Sequence, residues 1–173
     1  MPARPFEETV LPHLDAAFNY ARWLTRNDAE AEDIVQDACV RAVRFFSSFR
    51  EESARAWLFA IVRNAWYSRL SRRSVVTEAT LVDDVRDGRP DEAPDPEELL
   101  LQQHTVARVR AAIEQLPDDF REVIVLREME GMSYKEIASV AGVPIGTVMS
   151  RLARARERLL AVLTVPAPME TLR

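Results

Sequence analysis

The stretch Ser133 to Arg151, SYKEIASVAGVPIGTVMSR, constrains the fold more than any other part of the chain, because it reads as two short helices joined by a tight turn. Ser133 and Glu136 have the spacing of a capping box, in which hydroxyl and carboxylate each take a backbone N–H at the helix start. Ile137, Ala138 and Ala141 give the first helix a small apolar inner face. Gly142 supplies the left-handed conformation that ends it. Pro144 then suits the first turn of a second helix, where a missing N–H costs nothing. Val148 and Leu152 turn that helix back onto the first, which leaves Ile145, Gly146, Thr147, Ser150, Arg151 and Arg154 facing outward. This is the layout of a helix-turn-helix whose second helix reads DNA.

The second helix continues as Arg151 to Arg158 with four arginines against one acid, Glu157. Its apolar stripe of Val148, Leu152, Ala155, Leu159 and Val162 follows helical spacing. Cations on one face and packing on the other serve phosphate contact and anchoring together.

A net charge of −5 looks wrong for a DNA-binding chain, but its distribution resolves the conflict. Residues 77–100 hold nine acids and two arginines, so the remaining sequence is net basic. The same acidic segment carries Gly88, Pro90, Pro94 and Pro96, lacks aromatics and shows no sustained period. It reads as an extended, mobile tether whose like charges repel, which leaves packing of the two parts open but favours their independent motion. Helical periodicity elsewhere and only four glycines in 173 residues predict an all-α chain. The expected organisation is two small helical domains, residues 1–75 and 99–165, joined by an acidic flexible linker at 76–98, with a tail at 166–173.

Three main helices are predicted in the first domain. One spans Phe6 to Thr25, with Val10, Leu14, Phe18, Ala21 and Leu24 inward. A second starts after Asn27, with Asp28 and Glu30 in the first turn, and buries Ile34, Val35, Ala38, Ala42 and Phe45. The third starts at a Ser53 cap and runs through Trp57, Ile61 and Ala65 to about Leu70. In the second domain, one helix passes through Val106, Val109, Ile113 and Leu116. Pro117 opens another, with Phe120, Val123, Ile124 and Leu126.

The single cysteine, Cys39, excludes an internal disulfide framework and fits a reducing cytoplasm as a small buried hydrophobe. Two histidines and one cysteine do not make a structural zinc site of the usual kind. No stretch approaches the roughly 18 apolar residues of a membrane span, and no signal peptide is evident at the start. No nucleophile–base pair or phosphate loop is recognisable, so neither an enzymatic activity nor a cofactor is expected.

Two sets of residues, in order along the chain, resemble the bacterial sigma factors of RNA polymerase, specifically the short extracytoplasmic-function (group 4) type of the sigma-70 family. The first set is Ala21 to Asp37, ARWLTRNDAEAEDIVQD, with Ala56 to Asn64, AWLFAIVRN. The second is Leu116-Pro117, Arg121-Glu122-Val123, Gly131 to Ala138, and Gly146 to Leu152. The resemblance implies a factor that binds core RNA polymerase, recognises −35 and −10 promoter elements and helps to melt the latter. It also implies a partner anti-sigma factor, which could hold the protein at the membrane.

What the resemblance implies agrees with local chemistry. Asp28 to Asp37 contains five acids and no base. Glu30, Glu32, Asp33, Gln36 and Asp37, flanked by Arg41, are the candidates for docking on the clamp helices of the largest polymerase subunit. For the −10 element the candidates are Ser47, Ser48, Phe49 and Arg50, in a loop extending to Glu52, together with Arg63, Asn64, Tyr67, Arg69, Arg72 and Arg73. Aromatics can stack on unpaired bases while arginines hold the strand. Trp57 and Phe45 are assigned to the interior, and Trp66 is left open between core and DNA. For the −35 element the candidates are Pro144, Ile145, Gly146, Thr147, Ser150, Arg151, Arg154 and Arg158. Of these, Arg151 and Arg154 suit guanine or phosphate, and Thr147 and Ser150 suit phosphate. The segment around Phe120, Ile124 and Met129 serves as domain core or receives the flap of the second-largest subunit. The acidic linker is either a solvated tether or a nucleic-acid mimic that yields to growing transcript. Two other functions remain open: an autonomous helix-turn-helix regulator, and a sigma-like decoy for an anti-sigma factor.

Overall fold

The computed structural model describes residues 5–50, 53–76 and 96–166. The linker residues 77–95, loop residues Glu51 and Glu52, and most of the expected tail lie outside these. Among the described residues all regular structure is helical. The first domain contains α1 (Phe6–Thr9), α2 (Leu14–Thr25), α3 (Asp28–Phe45) and α4 (Ala54–Val76). The second contains α5 (Pro96–Glu114), α6 (Asp118–Ile124), α7 (Tyr134–Ala141) and α8 (Ile145–Leu163). A π-helical turn, Val125–Met129, follows α6 directly.

The predicted first helix is divided. A 3-10 turn at Leu11–His13 separates α1 from α2 because Pro12 cannot donate to the helical ladder. The next corner forms as expected: the Asn27 side chain accepts from the Glu30 N–H at 2.9 Å and starts α3. Ahead of it, Arg26 is the one non-glycine residue with positive φ among those described, at 57°. The Ser53 hydroxyl caps α4 by accepting from Ala56 N–H at 3.2 Å, and that helix runs past Leu70 to Val76. The start of α5 also takes in the last expected linker residues, with Pro96 at its first position, where its missing N–H is not needed.

In the first core, Ala17, Tyr20 and Ala21 of α2 meet Ala31, Ile34, Ala38 and Ala42 of α3 and Leu58, Phe59, Val62 and Ala65 of α4. Small residues on α2 and α3 let the helices approach closely, and the large rings of Tyr20 and Phe59 stack at 4.9 Å in the space that remains. Phe45 is 53% exposed, against the expectation that it is core. The spacing of four that continues the buried row beyond Ala42 falls on Phe46, which packs edge-on against Phe6 at 5.3 Å. Trp57 and Trp66 are half-buried against the core. Cys39 is half-buried as well, and burial pushes its thiol pKa up, away from a reactive thiolate.

The second core joins Ile113 of α5, Leu116 just beyond it, the run Val123 to Leu126, the loop residue Met132, Ile137 and Val140 of α7, and Val148, Leu152 and Ala155 of α8. Val106 and Val162, expected on the apolar faces, are exposed, at 66% and 47%. The acidic tether leaves both packing and independent motion of the domains open, and favours motion. Instead they are packed together, with α7 against α4 and α6 against α2, and their cores are continuous.

Candidate nucleic-acid interface

The helix-turn-helix has the local chemistry its sequence requires. Ser133 Oγ accepts from Glu136 N–H at 3.1 Å, and Ser133 N–H donates to Glu136 Oε2 at 2.8 Å, completing the capping box. Gly142 ends α7 at φ 66°, ψ 35°, in the left-handed region. A Cβ built there meets nothing within 4 Å, so backbone conformation rather than space calls for glycine. Pro144 stands as the N-cap of α8, one place before the first-turn position expected for it.

The Ser133 backbone N–H is the main reason that the Glu136 carboxyl lies below its ordinary pKa; hydroxyls of Ser53 and Ser133 and the nearby Arg55 add to this, against a smaller effect of burial. A pKa lowered by folding contributes stability above the ordinary carboxylate range, which is lost as pH falls through the lowered value. Glu136→Gln should therefore lower Tm at neutral pH, and the difference from wild type should shrink as the pH drops below 4.5, the ordinary value for glutamate. Paired thermal melts at several pH values measure this directly.

From this frame α8 projects Ile145, Gly146, Met149, Ser150, Arg154 and Arg158 into solvent, with Thr147 partly covered. Arg158 also lies over the Phe120 ring, 4.9 Å from its centroid. Arg151 is placed differently from its outward-facing expectation: it is half-buried and pairs with Asp119 at 3.3 Å. Since α6 packs against α8, the acidic start of α6 meets that side of the reading helix. Met149 was missed because an isolated methionine gives no charge signal.

On the first domain, the turn Phe46–Ser48 presents Ser47 and Ser48 to solvent beside exposed Arg50. Phe49 is half-buried, with its ring 5.1 Å from Trp57 and 6.0 Å from Phe46. Along α4, Asn64 and Arg72 are exposed, and Tyr67 is half-buried beneath the Arg63 guanidinium at 4.4 Å. Burial is the leading cause of the raised pKa of the Tyr67 phenol.

Several candidates engage one another. Arg73 pairs with Glu30 at 2.5 Å and Arg69 with Asp33 at 3.3 Å, so acids on α3 hold arginines of α4. Glu32, Gln36 and Asp37 remain exposed, with Arg41 half-covered. The sequence reading missed Val40 and Val43, two large apolar residues at 62% and 61% exposure on α3. Gln36, Val40 and Val43 share one face at spacings of four and three, which gives α3 an exposed apolar patch beside exposed acids.

Arg63 lies at the junction of the domains. Glu122 of α6 accepts through Oε1 from Arg63 Nε at 2.5 Å and from the Tyr20 hydroxyl at 2.7 Å. Burial opposes the charge of Arg63, but the hydrogen bond and charge of Glu122 prevail and raise its pKa. Burial is likewise the leading cause that lifts the Tyr20 phenol well above its ordinary value, followed by the Glu122 charge, so the hydroxyl stays a donor. Tyr20 and Glu122 could have been suspected as polar groups on otherwise apolar helix faces.

A capped helix-turn-helix with a cationic outer face, joined to an aromatic and basic helix, defines a two-domain nucleic-acid-binding protein. Residues 9–75 match the family described as Sigma-70 region 2, and residues 107–159 match Sigma-70, region 4. The ECF RNA polymerase sigma-E factor of Escherichia coli is 37% identical over 137 residues, covering 75% of this chain and 72% of that protein. The ECF RNA polymerase sigma factor SigE of Mycolicibacterium smegmatis is 34% identical over 154 residues, or 89% of this chain; the match spans 60% of SigE. Among solved structures, the sigma factor RpoE in complex with the anti-sigma factor NepR from Bartonella quintana superposes with a TM-score of 0.77 at 30% identity, covering 95% of this chain and all of that one. The chain belongs to the sigma-70 family and is an RNA polymerase sigma factor of the extracytoplasmic-function type. No helix of the described residues is long and apolar enough to cross a membrane.

Proposed function

We propose that this sigma factor binds core RNA polymerase in the cytoplasm, directs it to promoters with paired −35 and −10 elements, and contributes specificity rather than catalysis. The observation that carries the reading is the helix-turn-helix in which α8 is fixed by a capped α7 and presents Ser150, Arg154 and Arg158 outward. Residues 99–165 serve the −35 element, with Arg154 and Arg158 as leading cations and Arg151 as a second-rank contact because Asp119 holds it. Residues 1–75 serve core polymerase and the −10 element. Glu32, Asp33, Gln36 and Asp37, with Val40 and Val43 between them and the end of α3, form the clamp-helix surface. The loop of Ser47 to Arg50 and the face of α4 carrying Asn64, Tyr67 and Arg72 handle the melted strand, with Arg63, Arg69 and Arg73 available once their acidic partners are displaced.

An anti-sigma protein is the natural inhibitor, a reading supported by the likeness to RpoE, which is solved with one. Run-off transcription with purified core polymerase and a pooled promoter library tests the proposal. Initiation from a subset sharing two spaced elements is expected. Polymerase binding without initiation would favour the decoy, and failure to bind polymerase would favour an autonomous DNA-binding regulator.

A further inference from the structure

Across the continuous apolar core, the contact between the domains also carries polar bonds. Three donors of the first domain bond acceptors of the second: Tyr20 and Arg63 meet Glu122, and Arg26 Nη2 donates to the Glu114 carbonyl at 2.7 Å. Arg110 of α5 also lies over the Trp23 ring of α2, 5.4 Å from its centroid. At the centre Glu122 is 2% exposed, and its Oε2 is buried with no hydrogen-bond partner among the described residues.

That half-satisfied carboxylate matters energetically. Burying an ion pair carries a desolvation cost that good geometry only partly offsets, and an orphaned oxygen adds to it. The polar part of the contact is therefore specific in register and modest in net strength, so it sets how the domains close more than how tightly they are held. While it is made, the Arg63 guanidinium faces a carboxylate and cannot face a phosphate. The neighbouring α4 start is covered too, since α7 packs on it and the Glu136 carboxyl there is influenced by Ser53 and Arg55.

We infer that Tyr20, Arg63 and Glu122 form an intramolecular lock that holds the two domains closed and withholds Arg63 from DNA until they separate. The DNA half of this inference rests on the −10 role proposed for Arg63; the closure half does not.

The test uses the full chain in a Cys39→Ser background, with spin labels at Ala29→Cys of α3 and Ser139→Cys of α7, both exposed positions. Double electron–electron resonance should give one short, narrow distance. Adding Glu122→Ala removes the shared acceptor while placing a good helix former in α6. It should shift the closed-to-open ratio by about tenfold or more toward long, broad distances. Tyr20→Phe, which keeps the ring stack, should shift it less in the same direction. Unchanged helicity by circular dichroism shows that both variants fold. A wild type that is already open, or short distances retained in both folded variants, would overturn the lock. In parallel, anisotropy with a labelled single-stranded oligonucleotide of mixed sequence should show several-fold tighter binding by Glu122→Ala, a gain cancelled by adding Arg63→Ala. Opening without that gain would uphold the lock and overturn the −10 role of Arg63.

Discussion

Phe59→Ala is expected to destabilise the protein by about 3–5 kcal/mol, the usual cost of emptying a buried aromatic site. Phe59 is fully buried in the second turn of α4, and its ring lies almost parallel to Tyr20, at 4° and 4.9 Å. The cluster that holds it is rich in alanines, among them Ala17, Ala21 and Ala38, whose short side chains have little to offer a cavity. Against a total stability of roughly 5–15 kcal/mol for an ordinary domain, the loss is large. Denaturant titration should show a lower midpoint with an unchanged slope. Phe45→Ala makes the control: with half its surface already in water, it should move the midpoint little.

Arg154→Ala is expected to weaken binding to the cognate −35 duplex by about 1–3 kcal/mol, roughly 5- to 150-fold, if its guanidinium makes a bidentate base contact. Its position carries the expectation: it is exposed on α8, one turn beyond the exposed Ser150. Titrating duplexes over a range of salt separates the two roles that arginine can play. A phosphate contact gives nearly uniform weakening across sequences and reduces the salt slope by about one. A base contact keeps that slope and relaxes preference at one position. Arg151→Ala should behave differently, because it also releases Asp119 beside the reading helix.

The helix-turn-helix was legible almost residue by residue because its signals are local. A capping box, a glycine and a proline each act within four positions, and the structure differs in placing Pro144 one step earlier and in turning Arg151 toward Asp119. The Asn27 and Ser53 caps were readable for the same reason. Pro12 was equally local and was passed over in favour of a long apolar period. Phe45 and Phe46 could not be separated by periodicity, since adjacent residues at a helix end both lie near the buried stripe. The pairings Arg73–Glu30, Arg69–Asp33 and Arg63–Glu122 join residues 36 to 59 positions apart. Charge runs reveal such residues as surfaces to be filled but do not say whether the filling comes from a partner or from the same chain. The packing of the domains lay furthest from view, because an acidic tether says nothing about the surfaces at its ends.

The π-helical turn at Val125–Met129 has a consequence for recognition. There the Glu130 N–H reaches back five residues to the Val125 carbonyl at 3.1 Å, so the chain spends one residue more on the turn than an α-helix would. Everything after it, including the pair α7 and α8, inherits that extra step. A chain one residue shorter at this point would leave α6 and its π turn in a direction about 100° away around the helix axis. The direction in which α8 faces thus depends in part on the length of a turn, buried at Val125 and Leu126, that lies ahead of the helix-turn-helix.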